Sequence, residues 1–156
     1  MMLYECGVRY ERTMANGITK KVTELYLVDA LSFTEAEGRI TKEMEPFYSG
    51  DFDVVTIKRT NYSEIAENDK GDKWFRAKLL YITLDDKGRE KKIATHFIVR
   101  ATDINNAHAV VIDRLKGSMV DFEIATLDET KIMDIFRYKP NTANGKVFIL
   151  CLPRSE

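Results

Sequence analysis

One segment of the chain joins a strand directly to a helix start, and it constrains the fold more than any other. Residues 22–31 (VTELYLVDAL) are rich in β-branched, aromatic and aliphatic side chains, which predicts a strand. Ser32 follows as a helix N-cap, with Glu35 three residues later. This spacing predicts a capping box: Ser32 Oγ accepts from the N–H of Glu35, and the Glu35 carboxylate accepts from the N–H of Ser32.

The same strand-to-helix design returns 71 residues later, in residues 93–104. The identities at this offset are Tyr10 with Tyr81, Gly17 with Gly88, Lys20-Lys21 with Lys91-Lys92, Val28 with Val99, Ala30 with Ala101, and Ala36 with Ala107. After a one-residue deletion they are Asp51-Phe52 with Asp121-Phe122, Thr56 with Thr126, Thr60 with Thr130, and Ile65 with Ile135. They fall at turns, helix starts and apolar strand positions. We infer one ββαβ unit present twice.

The predicted fold class is α+β, with two ββαβ repeats related by a pseudo-two-fold axis. A hairpin followed by a right-handed crossover helix gives the strand order 2-1-3, with the third strand antiparallel to the first. Each mainly antiparallel sheet is then covered by one helix. The predicted segments are a first repeat at 1–65, a linker at 66–73, a second repeat at 74–138, and a C-terminal loop and strand at 139–156.

Helical spacing predicts the side of each helix that faces the core. In the first helix these residues are Phe33, Ala36, Ile40, Met44 and Phe47, with Pro46 predicting an irregular last turn. In the second helix they are Ile104, Ala107, Val111 and Leu115, with Gly117 expected just beyond the end. Val110 and Ile112 add apolar surface on its flanks, which predicts that this helix is covered on more than one side.

The C-terminal segment lies outside the two repeats. Residues 139–145 are predicted as a loop, and the apolar run 147–152 is predicted as a strand buried on both faces. We expect this extra strand to cover a sheet edge or an interface.

The composition excludes several classes of protein. The chain is 44% hydrophobic and 31% charged, with a formal net charge of −1. Proteins that bind nucleic acid mainly by neutralising phosphates are usually strongly basic, so only a local basic patch could serve that role. The start lacks the features of a signal peptide, and no apolar run approaches the roughly 20 residues of a membrane helix. We expect a soluble cytoplasmic protein with no membrane partner, in which Cys6 and Cys151 are reduced and half-buried.

Three segments carry a resemblance to a known group: residues 4–10 (YECGVRY), 22–37 and 57–65 (IKRTNYSEI). Residues 130–134 (TKIMD) fit it as well. The chain resembles a family of uncharacterised small proteins, a domain of unknown function, found in Bacteroidetes and in their phages and mobile elements. The resemblance covers residues 3–138 and leaves the tail from Lys139 outside. It implies a bacterial or phage cytoplasmic setting, and it implies no particular activity.

Acidic residues near the strand-to-helix junction suggest metal-dependent hydrolysis, which needs two or three carboxylates on one cation. They are Glu24, Asp29, Glu35 and Glu37. Caps and solvated surfaces explain them better, because Glu35 belongs to the predicted capping box and Glu37 points elsewhere around the helix. The matching residues of the second repeat are Thr95, Arg100, Asn106 and His108. His96 and His108 lack partners at ligand spacing, and no phosphate-binding glycine motif occurs, so no metal, cofactor or catalytic residue is predicted.

Basic residues crowd the two predicted hairpins, each next to a tyrosine. The candidate ligand-binding residues are Tyr10, Arg12, Lys20 and Lys21 in the first repeat, and Tyr81, Arg89, Lys91 and Lys92 in the second, with Lys87 nearby. Pseudo-two-fold symmetry could bring them around one groove suited to a phosphate backbone or a phosphorylated small ligand. Alternatively, the lysines protect strand edges against aggregation, and the tyrosines belong to the core.

The sharpest difference between the repeats is a reversal of charge, with Lys58 and Arg59 at the positions of Asp128 and Glu129. If the third strands meet, the opposite charges could fix how the halves dock. Otherwise the molecule has one basic and one acidic end, which suits head-to-tail assembly. These four residues, with Val110 and Ile112, are the candidate interface.

The sequence therefore predicts a non-enzymatic binding or assembly protein, expected to be a homo-oligomer. The alternative is a binder of nucleic acid or of a phosphorylated small ligand through the lysine pairs Lys20/Lys21 and Lys91/Lys92.

Overall fold

The computed structural model describes residues 2–48, 50–143 and 146–151. The first part of the chain forms β1 (Leu3–Thr13), β2 (Thr19–Asp29), α1 (Phe33–Met44), a 3₁₀ turn (Glu45–Phe47), β3 (Phe52–Arg59) and β4 (Tyr62–Glu67). The second part forms β5 (Lys73–Leu84), β6 (Glu90–Ala101), α2 (Ile104–Leu115), β7 (Asp121–Glu129) and β8 (Ile132–Phe136). The tail forms β9 (Tyr138–Ala143) and β10 (Lys146–Cys151).

Two mixed four-stranded sheets carry the fold, and the α+β class is confirmed. The first sheet has the order β3-β1-β2-β8, and the second has the order β7-β5-β6-β4. In each sheet the first strand of the hairpin lies in the centre, antiparallel to both of its neighbours. The predicted order 2-1-3 and the antiparallel third strand are therefore correct. The fourth strand of each sheet is parallel to the strand beside it.

The fourth strands connect the two parts of the chain in a way that the repeats do not suggest. β4 follows β3 in the chain but pairs with β6, and β8 follows β7 but pairs with β2. One compact unit, here called unit 1, comprises residues 1–60 and 132–156, and unit 2 comprises residues 61–131. The units thus differ from the expected segments 1–65 and 74–138, and β4 extends into the expected linker. The alternation of side chains predicts a strand, but it does not specify which sheet the strand joins.

A threonine marks each point where the chain leaves a third strand. The backbone N–H and the hydroxyl of Thr60 both donate to the carbonyl of Leu3, at 3.0 and 2.7 Å. Thr130 makes the same two bonds to the carbonyl of Trp74, at 2.9 Å each. This shared anchor explains why the two threonines are identical in sequence.

Each helix packs over its own sheet. In unit 1 the apolar side chains of β1 and β2 form a core with Ala36, Ile40 and Met44 of α1. In unit 2 those of β5 and β6 pack against Ala107 and Val111 of α2. Burying each large apolar side chain contributes roughly 1.5–3 kcal/mol. Cys6 is fully buried in the first core rather than half-buried as expected, and burial raises the pKa of its thiol to about 12.

The helix ends differ in part from the sequence expectations. Phe33, Phe47 and Ile104 are 50%, 70% and 49% exposed, so their assignment to the core is wrong. Phe33 lies at the solvent-exposed start of α1, where its ring makes a T-shaped contact with that of Tyr4. Phe47 ends the 3₁₀ turn that Pro46 introduces, and this tighter turn moves it off the helical stripe. The irregular last turn is as predicted.

The helix starts have N-caps, although the capping box is incomplete. Ser32 Oγ accepts from the N–H of Glu35 at 3.1 Å, but the reciprocal bond is not formed, and Glu35 Oε1 is buried with no hydrogen-bond partner in the described part of the chain. Asp103 caps α2 by accepting from the N–H of Asn106 at 2.7 Å. Gly117 follows α2 with a φ of 85°, as its predicted role requires.

The tail forms a two-stranded sheet in which β9 and β10 pair antiparallel. The expected loop at 139–145 is wrong over residues 139–143. These residues belong to β9, which supplies the hydrogen-bond partners for the backbone of β10. The predicted strand is confirmed up to Cys151. Its burial, the state of the Cys151 thiol and the position of Leu152 lie outside the described residues. Within the described residues, no helix combines the length and apolar character needed to cross a bilayer.

Candidate functional site

The most distinctive polar cluster of unit 1 is a carboxylate surrounded by tyrosines. Glu24 lies on the face of β2 that α1 covers, and its Oε1 accepts hydrogen bonds from the hydroxyl of Tyr26 at 3.2 Å and from that of Tyr48 at 3.1 Å. Tyr26 is the next residue but one on β2, so alternation places both on the same face. Tyr48 arrives from the segment after the 3₁₀ turn.

Aromatic rings extend this cluster towards the surface. The ring centroids of Tyr10 and Tyr48 are 4.5 Å apart, and those of Tyr48 and Phe52 are 5.2 Å apart. Tyr26 stacks at 5.7 Å on Phe136, which β8 supplies. Such contacts add about 0.5–1.5 kcal/mol each beyond simple burial. The cluster is therefore held from several elements of the unit.

The tyrosine hydroxyls stay protonated well above neutral pH. Burial is the main cause, and it raises the pKa of Tyr48 to about 12, with the Glu24 carboxylate adding to the rise. Burial and Glu24 also raise the pKa of Tyr10 and of Tyr26. The hydroxyls of Tyr26 and Tyr48 therefore act as hydrogen-bond donors towards Glu24.

A cavity of about 620 Å³ opens beside these rings, and we call it the tyrosine pocket. Its aromatic lining consists of Tyr10, Phe47 and Tyr48. Its charged lining consists of Arg9, Glu11, Lys21, Asp51 and Asp53. The volume lies within the range of ordinary ligand pockets. All of these residues belong to unit 1.

A strand edge forms one side of the tyrosine pocket. β3 begins opposite Tyr10, where Phe52 pairs with it, while β1 continues to Thr13. Among the described residues, 11–13 pair only with β2. An unpaired edge of this kind offers backbone N–H and C=O groups to an added strand.

Unit 2 lacks this site at the matching positions. Tyr81 matches Tyr10 and Phe122 matches Phe52, but the residues that match Glu24 and Tyr26 are Thr95 and Phe97. Tyr48 corresponds to Met119 at the offset of 71 and to Ser118 at the offset of 70, and neither residue is aromatic. Unit 2 therefore has neither the carboxylate nor the phenol groups that bond to it.

The basic residues of the first hairpin do not gather on one side. Lys20 stands opposite Arg12, and Lys21 stands opposite Glu11. Since successive residues of a strand point to opposite faces, the two lysines are separated by the sheet. Lys21 lines the tyrosine pocket, and Lys20 does not.

The second hairpin separates its lysines in the same way. Lys91 stands opposite Thr83 and Lys92 opposite Ile82. Lys92 Nζ is 3.0 Å from Glu123 Oε1, and Arg89 Nε is 3.2 Å from Asp85 Oδ2 in the turn. Tyr81 is half-buried, on the side of the sheet that faces α2. Two of these cations thus have acidic partners close by.

The charge reversal between the repeats corresponds to cross-strand pairs within each sheet. Lys58 stands opposite Glu5, and the matching pair in unit 2 is Asp128 opposite Arg76, with Arg76 Nη2 at 3.0 Å from Asp128 Oδ2. Both members of the pair are exchanged, so each sheet keeps an attractive pair worth roughly 0.2–1 kcal/mol.

The other candidate interface residues lie at the surface or near it. Arg59 stands opposite Tyr4 and Glu129 opposite Phe75, and both charged residues are exposed. Val110 packs partly against the core of unit 2, and Ile112 is 41% exposed. Their role in an interface stays a prediction.

The acidic candidates do not converge. Glu24 and Asp29 are five residues apart on β2, roughly 16 Å at the rise of a strand. Glu37 is exposed on α1, and among the described residues no group of three or more histidine, cysteine or acidic side chains could hold a metal ion. His96 is half-buried on β6 and His108 is exposed on α2.

A second charged cluster lies under α1. Burial raises the pKa of Asp29 and of Glu43, and the positive charge of the buried Arg39 partly offsets both increases. In unit 2 the position of Glu43 is occupied by Arg114, and its Nε donates to Glu64 Oε2 at 2.8 Å. We assign this cluster to helix–sheet packing, because its members lie in or beside the core.

The sequence interpretation found parts of the tyrosine pocket without their connection. It singled out Tyr10 and Lys21 as ligand-binding candidates, but it weighed Glu24 only as a metal ligand and preferred to place it on a solvated surface. The i, i+2 spacing of Glu24 and Tyr26 indicates a shared face of β2. Nothing in the pattern places Tyr48 there, because it comes from an irregular segment.

Comparison with known proteins adds the family. No curated protein and no solved structure matches the chain. Residues 2–138 match the model of a domain of unknown function, DUF4494, which agrees with the span over which the sequence resembled such a domain. The chain therefore belongs to the DUF4494 family.

Proposed function

We propose that this chain is a non-enzymatic binding or assembly protein, and that it takes an extended segment of a protein at the tyrosine pocket. The observation that carries the proposal is the combination of a 620 Å³ cavity with the strand edge at residues 11–13. Phe47, 70% exposed at the rim, supplies an apolar contact. A peptide could pair with the edge through its backbone and place alternate side chains in the pocket.

The proposal includes two features of the whole chain. The two ββαβ repeats are related by a pseudo-two-fold axis, supported by matched strand orders and by matched bulges at Gly7/Val8 and Lys78/Leu79. The chain also forms a homo-oligomer. The bacterial or phage setting implied by the resemblance belongs to the same proposal.

A selection from a random peptide display library tests the pocket. We expect enriched peptides that bind the full chain and lose binding when Phe47→Glu and Tyr48→Ala are introduced. Met119→Glu is the matched control, because Met119 is 98% exposed outside the pocket and its change should leave binding intact. Peptides that bind all three variants equally, or a selection without enrichment, would contradict the proposal.

The alternative is a binder of nucleic acid or of a phosphorylated small ligand through the basic hairpins. One observation favours it: Arg12 and Lys20 stand directly opposite each other, and an anion would relieve this repulsion. Native mass spectrometry of gently purified protein distinguishes the two proposals. An adduct of nucleotide mass that disappears when Lys20, Lys21, Lys91 and Lys92 are changed to Gln supports the alternative, and an oligomer without added mass supports assembly.

A further inference from the structure

The charges around the tyrosine pocket are unevenly balanced. Each basic residue of the lining has an acidic neighbour in register, since Arg9 stands opposite Asp53 and Lys21 opposite Glu11. Asp51 has no such basic partner among the described residues. Glu24 adds a further carboxylate behind the rings of Tyr10 and Tyr48. The balance of the pocket is therefore acidic.

A neighbouring cavity strengthens this imbalance. It has a volume of about 390 Å³ and shares Gly50, Asp51 and Asp53 with the tyrosine pocket. Its other charged lining residues are Glu37 and Glu45, and its described lining contains no basic residue. A ligand that reached from the tyrosine pocket into this cavity would pass Asp51 and Asp53, which line both.

The aromatic rings suit a cation as well. A positive charge over the face of a tyrosine ring gains about 0.5–2 kcal/mol. The hydroxyl of Tyr48 donates to the Glu24 carboxylate, and this polarises the phenol so that its ring face becomes more negative. Tyr10 lies 4.5 Å from Tyr48 by ring centroids, and the Glu24 carboxylate raises its pKa more than the positive charge of Arg12 lowers it. The Glu24 carboxylate and the faces of the rings therefore both favour a positively charged ligand.

We propose that the tyrosine pocket binds the guanidinium or ammonium group of an arginine or lysine carried by an extended, basic segment of a partner protein. The inference rests on the proposed function and adds the chemistry of the ligand. The segment pairs with residues 11–13 of β1, which places alternate side chains towards Tyr10 and Tyr48. Asp51 contacts the charge at the mouth of the pocket. Unit 2, with Thr95 and Phe97 at the positions of Glu24 and Tyr26, has no equivalent site.

A nuclear magnetic resonance titration of the isotope-labelled full chain tests this inference. The probes are two acetylated peptides, TVRVRVT and TVEVEVT, which differ only in charge. We expect TVRVRVT to shift the backbone resonances of Tyr10, Tyr48 and Asp51, and TVEVEVT to leave them unchanged. Asp51→Asn should weaken binding by about threefold or more, and Tyr48→Ala likewise.

Asp121→Asn is the matched control, because Asp121 occupies the position of Asp51 in unit 2. It removes the same charge from the chain and should leave the affinity for TVRVRVT unchanged. Since Asp51 is exposed, its substitution tests the site without disturbing the core.

Two results would overturn the cation assignment. In the first, TVEVEVT shifts the pocket resonances and TVRVRVT does not. In the second, TVRVRVT binds with equal affinity to the Asp51→Asn, Tyr48→Ala and unsubstituted chains, or not at all at millimolar concentration. In either case the display selection tests the proposed function separately. Selected peptides that need the pocket but contain no basic residue would support the proposed function and refute only the cation assignment.

Discussion

At the scale of single residues, Gly71 shows how closely two backbone segments approach within unit 2. A Cβ atom on Gly71 would lie 2.6 Å from the nitrogen and 2.7 Å from the Cα of Ala101. Because backbone atoms cannot move aside as a flexible side chain can, Gly71→Ala should lower the free energy of unfolding by about 1–3 kcal/mol. Urea denaturation measures this change.

Gly38→Ala provides the comparison for Gly71→Ala. Gly38 lies on the exposed side of α1, and a Cβ atom there meets nothing within 4 Å. Since alanine favours helix over glycine, this substitution should raise the free energy of unfolding by about 0.5–1 kcal/mol. Equal effects of the two substitutions would show that Gly71 is not confined as the structure indicates.

The raised pKa of Asp29 leads to a prediction about how the stability of the chain depends on pH. Burial raises its pKa above the ordinary value of 3.8, so the folded chain holds the proton more tightly than the unfolded chain. Its contribution to stability is therefore complete below 3.8 and is lost as pH rises through the folded-state pKa. An asparagine side chain at this position would stay neutral and could still accept from the N–H of Met2. Asp29→Asn should thus be more stable than the unsubstituted chain at about pH 7, and similar to it at about pH 3.

Urea denaturation at both pH values checks the Asp29 prediction. Asp86→Asn, a change at an exposed carboxylate, controls for the altered net charge. A stability difference that is the same at the two pH values would show that the charge of Asp29 is not the cause.

At the scale of secondary-structure elements, the threonine anchors predict a matched pair of effects. Thr60→Val and Thr130→Val each remove one hydroxyl donor, while the backbone N–H continues to bond to the same carbonyl. Because the carbonyl of Leu3 or Trp74 keeps a partner, each change should cost only about 0.5–1.5 kcal/mol. Thermal unfolding of both variants measures it, and a clearly larger loss at either site would mean that the hydroxyl has a further role.

At the scale of the whole molecule, the exchange of β4 and β8 makes the two parts of the chain depend on each other. A fragment ending at Asp69 contains β4 without β6, and the complementary fragment from Lys70 contains β8 without β2. Each sheet then loses a strand, leaving the apolar side chains beside it uncovered. We expect neither fragment alone to unfold cooperatively, and an equimolar mixture to recover cooperative unfolding.

Circular dichroism and size-exclusion chromatography of the fragments measure this dependence. A mixture with the mass of the intact chain and a single thermal transition is the expected result. A fragment that unfolds cooperatively as a monomer would show that its sheet is stable with three strands.

Local patterns determined much of the architecture. The run of β-branched and aromatic residues at 22–31 identified β2, the N-cap Ser32 with helical spacing placed the start of α1, and the offset of 71 residues extended the same elements to unit 2. These features depend on contacts between residues close in sequence, so the amino-acid pattern alone specifies them. The strand order followed from chain connectivity and the handedness of crossovers.

Only the tertiary structure decided which sheet β4 and β8 join, and which residues form the tyrosine pocket. Strand alternation reads the same in either sheet, because the partner is chosen by packing far along the chain. Tyr48 reaches Glu24 from an irregular segment whose path depends on the 3₁₀ turn and on the packing of Phe52. The sequence by itself determined the elements and their repetition. Long-range packing determined the strand exchange and placed a carboxylate among tyrosines, because contacts between distant residues leave no periodic pattern in the sequence.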